Sequence, residues 1–491
     1  MWTERDQIQA YQFLRRRLVS ALTVADANHP VAPNRRLVFG VVLGGVATLL
    51  TAAGFGISGV MQPSPPPDWK HTGLVIVDKD GGGRFVLDKD GVLHPVANLA
   101  SARLLANGTK TVSVAAALLR DAPRGATLGI PAAPDSLPNA AGLVADPVPV
   151  ACSRATSDLP KVTGPVSALL LAHDGDVTAT LAGLAPVPDG RGLLAQDPKG
   201  DRFLITGGVR YKLGDRAALI AFGYQNAPTL PAAPAWLATL PAGRDLNLVA
   251  VPGAGGAGPR VGALHTKVGQ ILAADNPVAG RSGYYLVRAN GLEPVSQAQA
   301  ALILAAAANA PAYAGDGLPA TKPVSVADVA AAPSVPSGDD AVGYPAGMPA
   351  PVAVGGDATV VCSTGDGKDP SQIALGTALP LPSGARAVPT GAPQGGTVAD
   401  EAYLPPGTAA LVTVKTAPGA AADKADKAEK WYLVTDAGIK YALGDSQARG
   451  ALGYGNNGPA QLPPSALGML PAGPALDQAD AQKPIAVPNG G

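Results

Sequence analysis

Residues 202–243 read RFLITGGVRYKLGDRAALIAFGYQNAPTLPAAPAWLATLPAG, and residues 431–473 read WYLVTDAGIKYALGDSQARGALGYGNNGPAQLPPSALGMLPAG. After one inserted residue the two run at a constant offset. Tyr211 matches Tyr441, Gly214-Asp215 matches Gly444-Asp445, Gly223-Tyr224 matches Gly453-Tyr454, and Leu240-Pro241 matches Leu470-Pro471. Similarity of that density marks an internal repeat, a supersecondary unit used more than once. Two weaker copies follow the same plan: GGRFVLDKDGVLHPVANLASARLLAN at 82–107 and SGYYLVRANGLEPVSQAQAALILAAAAN at 282–309 share the Leu-x-Pro-Val step at Leu93–Val96 and Leu292–Val295. Every copy predicts a strand, a polar turn, an aromatic-led strand, a Gly turn, a short strand and then a helix. In the first copy these fall at Leu74–Val77, DKDGGG, Arg84–Leu87, DKDG, Val92–Val96 and a helix from about Asn98. Asp215 and Asp445 are the expected N-caps in the second and fourth.

The copies occur in the order A–B, A–B, so the region is a tandem duplication. Between the paired copies lie segments rich in Val, Ala and Pro, 111–190 and 311–405, each with one cysteine in a similar setting, VPVACS and ATVVCS. Equivalent positions of two related halves come close only near a pseudo-two-fold axis. A Cys152–Cys362 bridge would therefore staple the halves at their shared centre; two buried free thiols are the alternative. The spacing of the cysteines fits no metal motif. The remaining boundaries are a spacer and repeat at 62–110, repeats at 191–250, 261–310 and 406–477, a Gly-rich linker at 251–260 and a tail at 478–491.

Ahead of the duplication, Leu37–Met61 is LVFGVVLGGVATLLTAAGFGISGVM, 25 residues without a charge. That is long enough to cross a hydrocarbon core of about 30 Å. It is too long for the apolar region of a cleaved leader, and no A-x-A pattern follows it. Arg15, Arg16, Arg17, Arg35 and Arg36 precede it, while Gln62–Asp68 has no basic residue, so residues 1–36 are expected in the cytoplasm and 62–491 outside. The Pro63–Pro67 stretch would be a stiff spacer. Both cysteines then lie where disulfides persist. The whole chain of 491 residues has 37 basic and 37 acidic side chains, which leaves no electrostatic footprint for nucleic acid. Its 61 glycines and 49 prolines against 4% aromatics predict short elements, many turns and no long coiled coil.

In the tail, Ile8, Tyr11, Leu14, Leu18, Leu22 and Ala25 recur at helical spacing, and Pro30 and Pro33 end the pattern. Arg15 falls inside this stripe. A helix lying on lipid could let Arg15 snorkel; a helix docked on a protein could pair it with a carboxylate. A 36-residue tail cannot bury the stripe within itself, so it needs another surface, and a protein partner is favoured.

These pieces resemble the EccB family, the single-span component of the type VII (ESX) secretion membrane complex of actinobacteria. The resemblance rests on QIQAYQFLRRRLVSAL near the N-terminus, the apolar run at 37–61, GIPAAPDSLP at Gly129–Pro138, the paired cysteines, IKYALGD, and LGYGNNGPAQLPPSALGMLPAGPALD near the C-terminus. It covers essentially the whole chain. It implies an α+β protein: a cytosolic helix, one transmembrane helix, and a duplicated extracytoplasmic region with a central β-rich core and four small strand/helix repeats in pseudo-two-fold arrangement. The repeats are expected to resemble a wall-binding subunit of a phage lysin. The implied location is the cell inner membrane, single-pass, with the bulk periplasmic. Implied partners are EccC, EccD, EccE, a subtilisin-like mycosin and other copies of the chain; the implied role is structural, in assembly and protein export. The charged run Asp423–Lys430 (DKADKAEK) looks like an elaborated repeat turn.

Family members are also labelled ATPases, which leaves a membrane-anchored ATPase as the alternative and ATP as a cofactor by that label alone. A phosphate-cradling loop needs G-x-x-x-x-G-K-[ST]. The nearest stretch, GAGGAGPR at Gly253–Arg260, has Pro259 and Arg260 in place of Lys and Ser/Thr, and proline removes a backbone donor. His29, His71, His94, His173 and His265 are scattered, and neither G-x-S-x-G nor H-E-x-x-H occurs. His173-Asp174-Gly175-Asp176, Asp78-Lys79-Asp80-Gly81 and Asp88-Lys89-Asp90-Gly91 read as turns; the last two lack the later ligands of a calcium loop. No catalytic residue and no metal ligand set is expected. A wall-anchoring module acting alone is a third reading, which the tail's stripe opposes.

Overall fold

The computed structural model describes residues 3–28, 34–61, 68–155, 163–172, 181, 183–276, 280–337, 343–352, 360–365, 369–393, 395–415 and 430–485. The Pro63–Pro67 spacer, His29, the turn at His173–Asp176 and residues 423–429 of the charged run lie outside them. The chain divides into two compact units, Met1–Asp68 and Trp69–Gly491.

The first unit holds two helices. Helix α1 (Glu4–Val24) starts at Thr3, whose backbone N–H and hydroxyl both donate to the Asp6 carboxylate, at 3.0 and 2.7 Å, and ends at Ala25 in the left-handed region. Those bonds from Thr3 hold the Asp6 carboxyl below its ordinary value. Helix α2 (Asn34–Met61) contains the uncharged run, and Val38, Phe39, Val41, Leu49, Leu50 and Phe55 on it are all exposed. Its two threonine hydroxyls are satisfied within the helix: Thr48 donates to the Gly44 carbonyl at 2.8 Å and Thr51 to that of Ala47. An apolar helix that buries its own polar groups this way is fit for lipid.

The second unit opens with β1 (Val75–Asp78), β2 (Arg84–Leu87), β3 (Leu93–Pro95), α3 (Leu99–Ala106), β4 (Thr111–Val114) and α4 (Ala116–Leu119). Its turns are closed by Asp78 and Asp88, whose Oδ1 atoms each accept an N–H two residues on, at 2.9 Å. Next come β5 (Val148–Arg154), β6 (Val166–Ala172) and β7 (Ala185–Pro186). A second small unit has β8 (Arg191–Gln196), β9 (Arg202–Thr206), β10 (Val209–Leu213), α5 (Arg216–Ala221), β11 (Thr229–Pro231) and α6 (Pro234–Thr239). A hairpin, β12 (Ala257–Val261) and β13 (Leu264–Lys267), precedes β14 (Ile271–Asn276), β15 (Arg281–Arg288), β16 (Gly291–Val295), α7 (Gln297–Ala305), β17 (Lys322–Val324) and α8 (Val326–Ala331). Then follow β18 (Ala350–Pro351), β19 (Val360–Thr364), β20 (Gln372–Gly376), β21 (Val388–Pro389) and β22 (Glu401–Tyr403). The last small unit is β23 (Ala409–Val414), β24 (Trp431–Thr435), β25 (Lys440–Ala442), α9 (Ser446–Leu452), β26 (Ala460–Leu462) and α10 (Pro464–Gly468), and α11 (Gln478–Ala481) closes the described chain.

The four small sheets have one topology: β3-β2-β1-β4, β10-β9-β8-β11, β16-β15-β14-β17 and β25-β24-β23-β26, the fourth strand parallel to the first in each. The expected N-caps hold, with Asp215 and Asp445 each accepting the N–H three residues on at 2.8 Å. The fourth strand and second helix were not expected. Such strands are only three or four residues long, too short for periodicity to register. In the first small unit they carry the fold past residue 110, to Leu119. The expected linker 251–260 differs too, since its second half is strand β12. The repeated Leu-Pro-Ala-Gly ending has a packing cause. A Cβ on Gly243 would lie 2.2 Å from the Tyr211 ring, and one on Gly473 2.3 Å from that of Tyr441.

The small units associate in pairs. Helix α3 packs against α9 and α11, and α5 against α7, so the first unit shares a core with the fourth and the second with the third. Between them runs one seven-stranded sheet, β21-β22-β6-β5-β19-β20-β7.

Candidate functional site: the stapled centre

Strands β5 and β19 run antiparallel with Cys152 facing Cys362, Ser153 facing Val361, Ala151 facing Ser363, Arg154 facing Val360 and Val150 facing Thr364. Positions at equal distance from the two cysteines thus oppose one another, which is local two-fold symmetry. The cysteines are joined, S–S 2.03 Å and Cα–Cα 4.0 Å, and both are fully buried. The bridge lies on the sheet face with Val150, Leu170, Val360 and Tyr403. Neighbouring residues of a strand point the other way, and Ser153 and Ser363 serve that opposite face. Ser153 Oγ accepts the Ala233 N–H at the start of α6 at 2.9 Å, and Trp236 Nε1 donates to Ser363 Oγ at 3.0 Å. Trp236 and Leu237 of α6 meet Ala466 and Leu467 of α10 in one core over this face.

The halves also exchange segments. β22, from the second half, pairs with β6 of the first, and β7, from the first, pairs with β20 of the second. Glu401 of β22 forms a 2.6 Å ion pair with Arg154 of β5, and Asp400 accepts both the N–H and the hydroxyl of Ser167 at 2.8 and 2.7 Å. Further out, Tyr224 donates to the Pro349 carbonyl at 3.0 Å and Tyr454 to that of Pro138 at 2.8 Å. Each equivalent tyrosine therefore clamps a proline-rich segment from the other half. The Gly-Tyr match at 224 and 454 was visible in the sequence, whereas the acceptors, 125 and 316 residues away along the chain, lie beyond the reach of any local pattern.

Burial pushes both phenols up to about 12. Their folded pKa lies above the unfolded one, near 10, so their contribution to stability is complete below pH about 10 and is lost as pH rises towards about 12. Absorbance titration of the folded protein should show two of the 11 tyrosines ionising last, and replacing both by Phe should remove that late step. Their ionisation at the ordinary phenol value would refute the clamps.

The sequence-predicted residues sort into two groups. Cys152 and Cys362 are brought together. Ile8, Tyr11, Leu14, Leu18 and Leu22 all sit on α1 and are exposed, as is Arg15 among them. Phe13, outside the stripe, is equally exposed, with the Arg17 guanidinium 5.7 Å from its ring centroid.

Gly253–Arg260 does not fit a nucleotide phosphate. The Gly255 N–H donates to the Val268 carbonyl at 2.9 Å and the Gly256 N–H to that of Gly253 at 3.0 Å, so amides a phosphate would need are already used. Strand β12 follows the glycines where a cradle would open a helix. Among the described residues no group of three or more His, Cys, Asp or Glu could hold a metal ion.

The disulfide, the Arg154–Glu401 ion pair and the two tyrosine hydrogen bonds thus join the halves of the duplicated region, in a chain that carries one helix long and apolar enough to cross a membrane. Residues 1–487 match the family model described as type VII secretion system ESX-1, transport TM domain B, and the chain belongs to that family, EccB. It is 30% identical over 500 residues to the ESX-5 secretion system ATPase EccB5 of Mycobacterium tuberculosis, covering 97% of this chain and 92% of that one. It is 28% identical over 494 residues to the ESX-3 secretion system ATPase EccB3 of Mycolicibacterium smegmatis, covering 97% and 90%. Among solved structures it resembles a chain of an intact ESX-5 inner membrane complex, with TM-score 0.65, 25% identity and coverage of 99% and 96%. It also resembles the EccB3 dimer from the ESX-3 core complex, with TM-score 0.61, 27% identity and coverage of 83% and 99%.

Proposed function

We propose that this chain is a structural subunit of a type VII secretion membrane complex, required for assembly and export. Residues 1–36 lie in the cytoplasm and the stapled repeats outside, on the periplasmic side. The arginines before the span support that orientation, as does the buried disulfide. The exposed stripe of α1 docks on EccC or EccD, the repeats contact EccE, mycosin or the envelope, and the chain associates with other copies of itself. The observation that carries this reading is the centre itself: segment exchange around one buried bridge builds a platform, and among the described residues outside the span the exposed large apolar side chains concentrate on α1.

An ATPase is the second reading, favoured by the names of the relatives. The residues at Gly253–Arg260 oppose it, since the Gly255 and Gly256 N–H groups are already bonded to backbone carbonyls. A single fusion tests the proposal. A fluorescent protein that matures only in the cytoplasm, joined after Gly491, should stay dark, and membranes solubilised and captured through it should yield the other secretion components. A bright fusion overturns the orientation, and capture of the chain alone overturns the membership.

A further inference from the structure

In every small sheet the fourth strand lies at an edge. Its backbone groups alternate between the first strand and the outside. For β4 the parity is fixed: Val75 N–H donates to the Lys110 carbonyl and Lys79 N–H to that of Val114, both at 2.9 Å. Lys110, Val112 and Val114 therefore face β1, and Thr111 and Ser113 turn their N–H and C=O groups outward. Both residues are exposed, and among the described residues no backbone group pairs with that edge.

The sister repeats treat the same edge differently. Aligned on the residue that caps the following helix (Ala115, Ala233, Ser325 and Pro463), the position of Ser113 is occupied by Pro231 in β11 and Pro323 in β17. The bond from Ala232 N–H to the Gln196 carbonyl at 2.8 Å places Pro231 outward, as Ser113 is. In β26 the equivalent is Gln461, with Pro459 and Pro463 at the outward positions on either side. Proline has no N–H to offer an added strand and is a usual way to blunt an edge. Only the first repeat leaves this edge unblunted.

We infer that β4 is the strand through which two copies of this chain join, antiparallel and centred on Val112. The strand is self-complementary in that register. Thr111 of one copy opposes Ser113 of the other, so the outward groups exchange hydrogen bonds on both sides of the two-fold. Val112 opposes itself in a pair without hydrogen bonds, and Lys110 falls opposite the aliphatic Val114, so no like charges meet. Two four-stranded sheets become one of eight. This rests on the self-association proposed above and names its surface.

The test uses the full chain in detergent. Val112→Cys places two thiols on strands whose Cα atoms are about 4.5 Å apart, within reach of a disulfide. Mild oxidation should give a cross-linked dimer, whereas Thr229→Cys, on the corresponding edge of the second repeat, should give none. Ser113→Pro installs the residue that two sister repeats carry, so it should fold with an unchanged circular dichroism spectrum. It removes one donor from each copy and should raise the dimer dissociation constant at least tenfold. A dimer whose affinity is unchanged by Ser113→Pro overturns the inference, as does cross-linking of Val112→Cys to another protein or no cross-linking of a dimeric chain. In each of those cases the fusion that captures the secretion components still decides complex membership separately.

Discussion

Replacing Cys152 and Cys362 together by serine should lower the melting temperature of the full chain by roughly 5 °C or more without dissolving the four small sheets. The bridge joins positions 210 residues apart. Closing a loop of that length removes about 5 kcal/mol worth of entropy from the unfolded chain in the chain-entropy account. A second cost has the same sign. Both side chains are fully buried among Val150, Leu170 and Val360, and two hydroxyls placed there must find partners or remain unsatisfied. The small sheets should survive because each is built from its own strands, and the interlocks Arg154–Glu401 and Tyr454–Pro138 do not pass through sulfur. Thermal melting of wild type and double mutant in the same detergent measures the effect. Labelling of the unreduced, denatured wild type should find no free thiol; two labelled thiols per chain would sink the idea.

What could be read from the sequence, and what could not, follows from how far each signal travels along the chain. The strand–turn–strand core of each repeat is local. Its marks are polar, Gly-containing turns, aromatic residues on the second strand and an Asn, Asp or Ser that caps the helix, and the turn and cap bonds close within a few residues. The cysteine pairing was legible only because the chain is duplicated, since duplication turns two distant positions into equivalent ones. The exchange of β7 and β22 between halves had no such mark. Ala185-Pro186 and Glu401–Tyr403 are strands of only two and three residues, indistinguishable from loop in a chain so rich in proline. The glycines at 253–256 illustrate the opposite failure. They read as a flexible linker, yet Gly253 and Gly255 have φ of 75° and 90° and shape the turn that feeds β12.

Replacing Leu14 and Leu18 by Asp should leave a chain that inserts and folds but no longer copurifies with the secretion complex, and export should stop. Both leucines are exposed on α1, in the stripe that runs from Ile8 through Tyr11 to Leu22 with Arg15 among them. A helix of 21 residues without a packed face is marginal in water, so its apolar stripe finds its stability in whatever covers it. Two carboxylates set into that contact would be buried without partners, at a cost of several kcal/mol each. A modest interface does not survive such a loss, which amounts to a thousandfold or more in affinity. Arg15 gives a second readout. If it pairs with a carboxylate of the partner, Arg15→Glu should also release the chain, whereas Arg15→Lys should retain most of the binding because the charge is kept. The stapled repeats should melt at the wild-type temperature in every variant, since the tail forms a compact unit separate from Trp69–Gly491. Quantitative recovery of the other components through a tagged double mutant, with secretion followed in the same cells, decides the matter. Normal assembly would mean that the stripe rests on lipid, and that the contacts holding this subunit in the complex lie elsewhere.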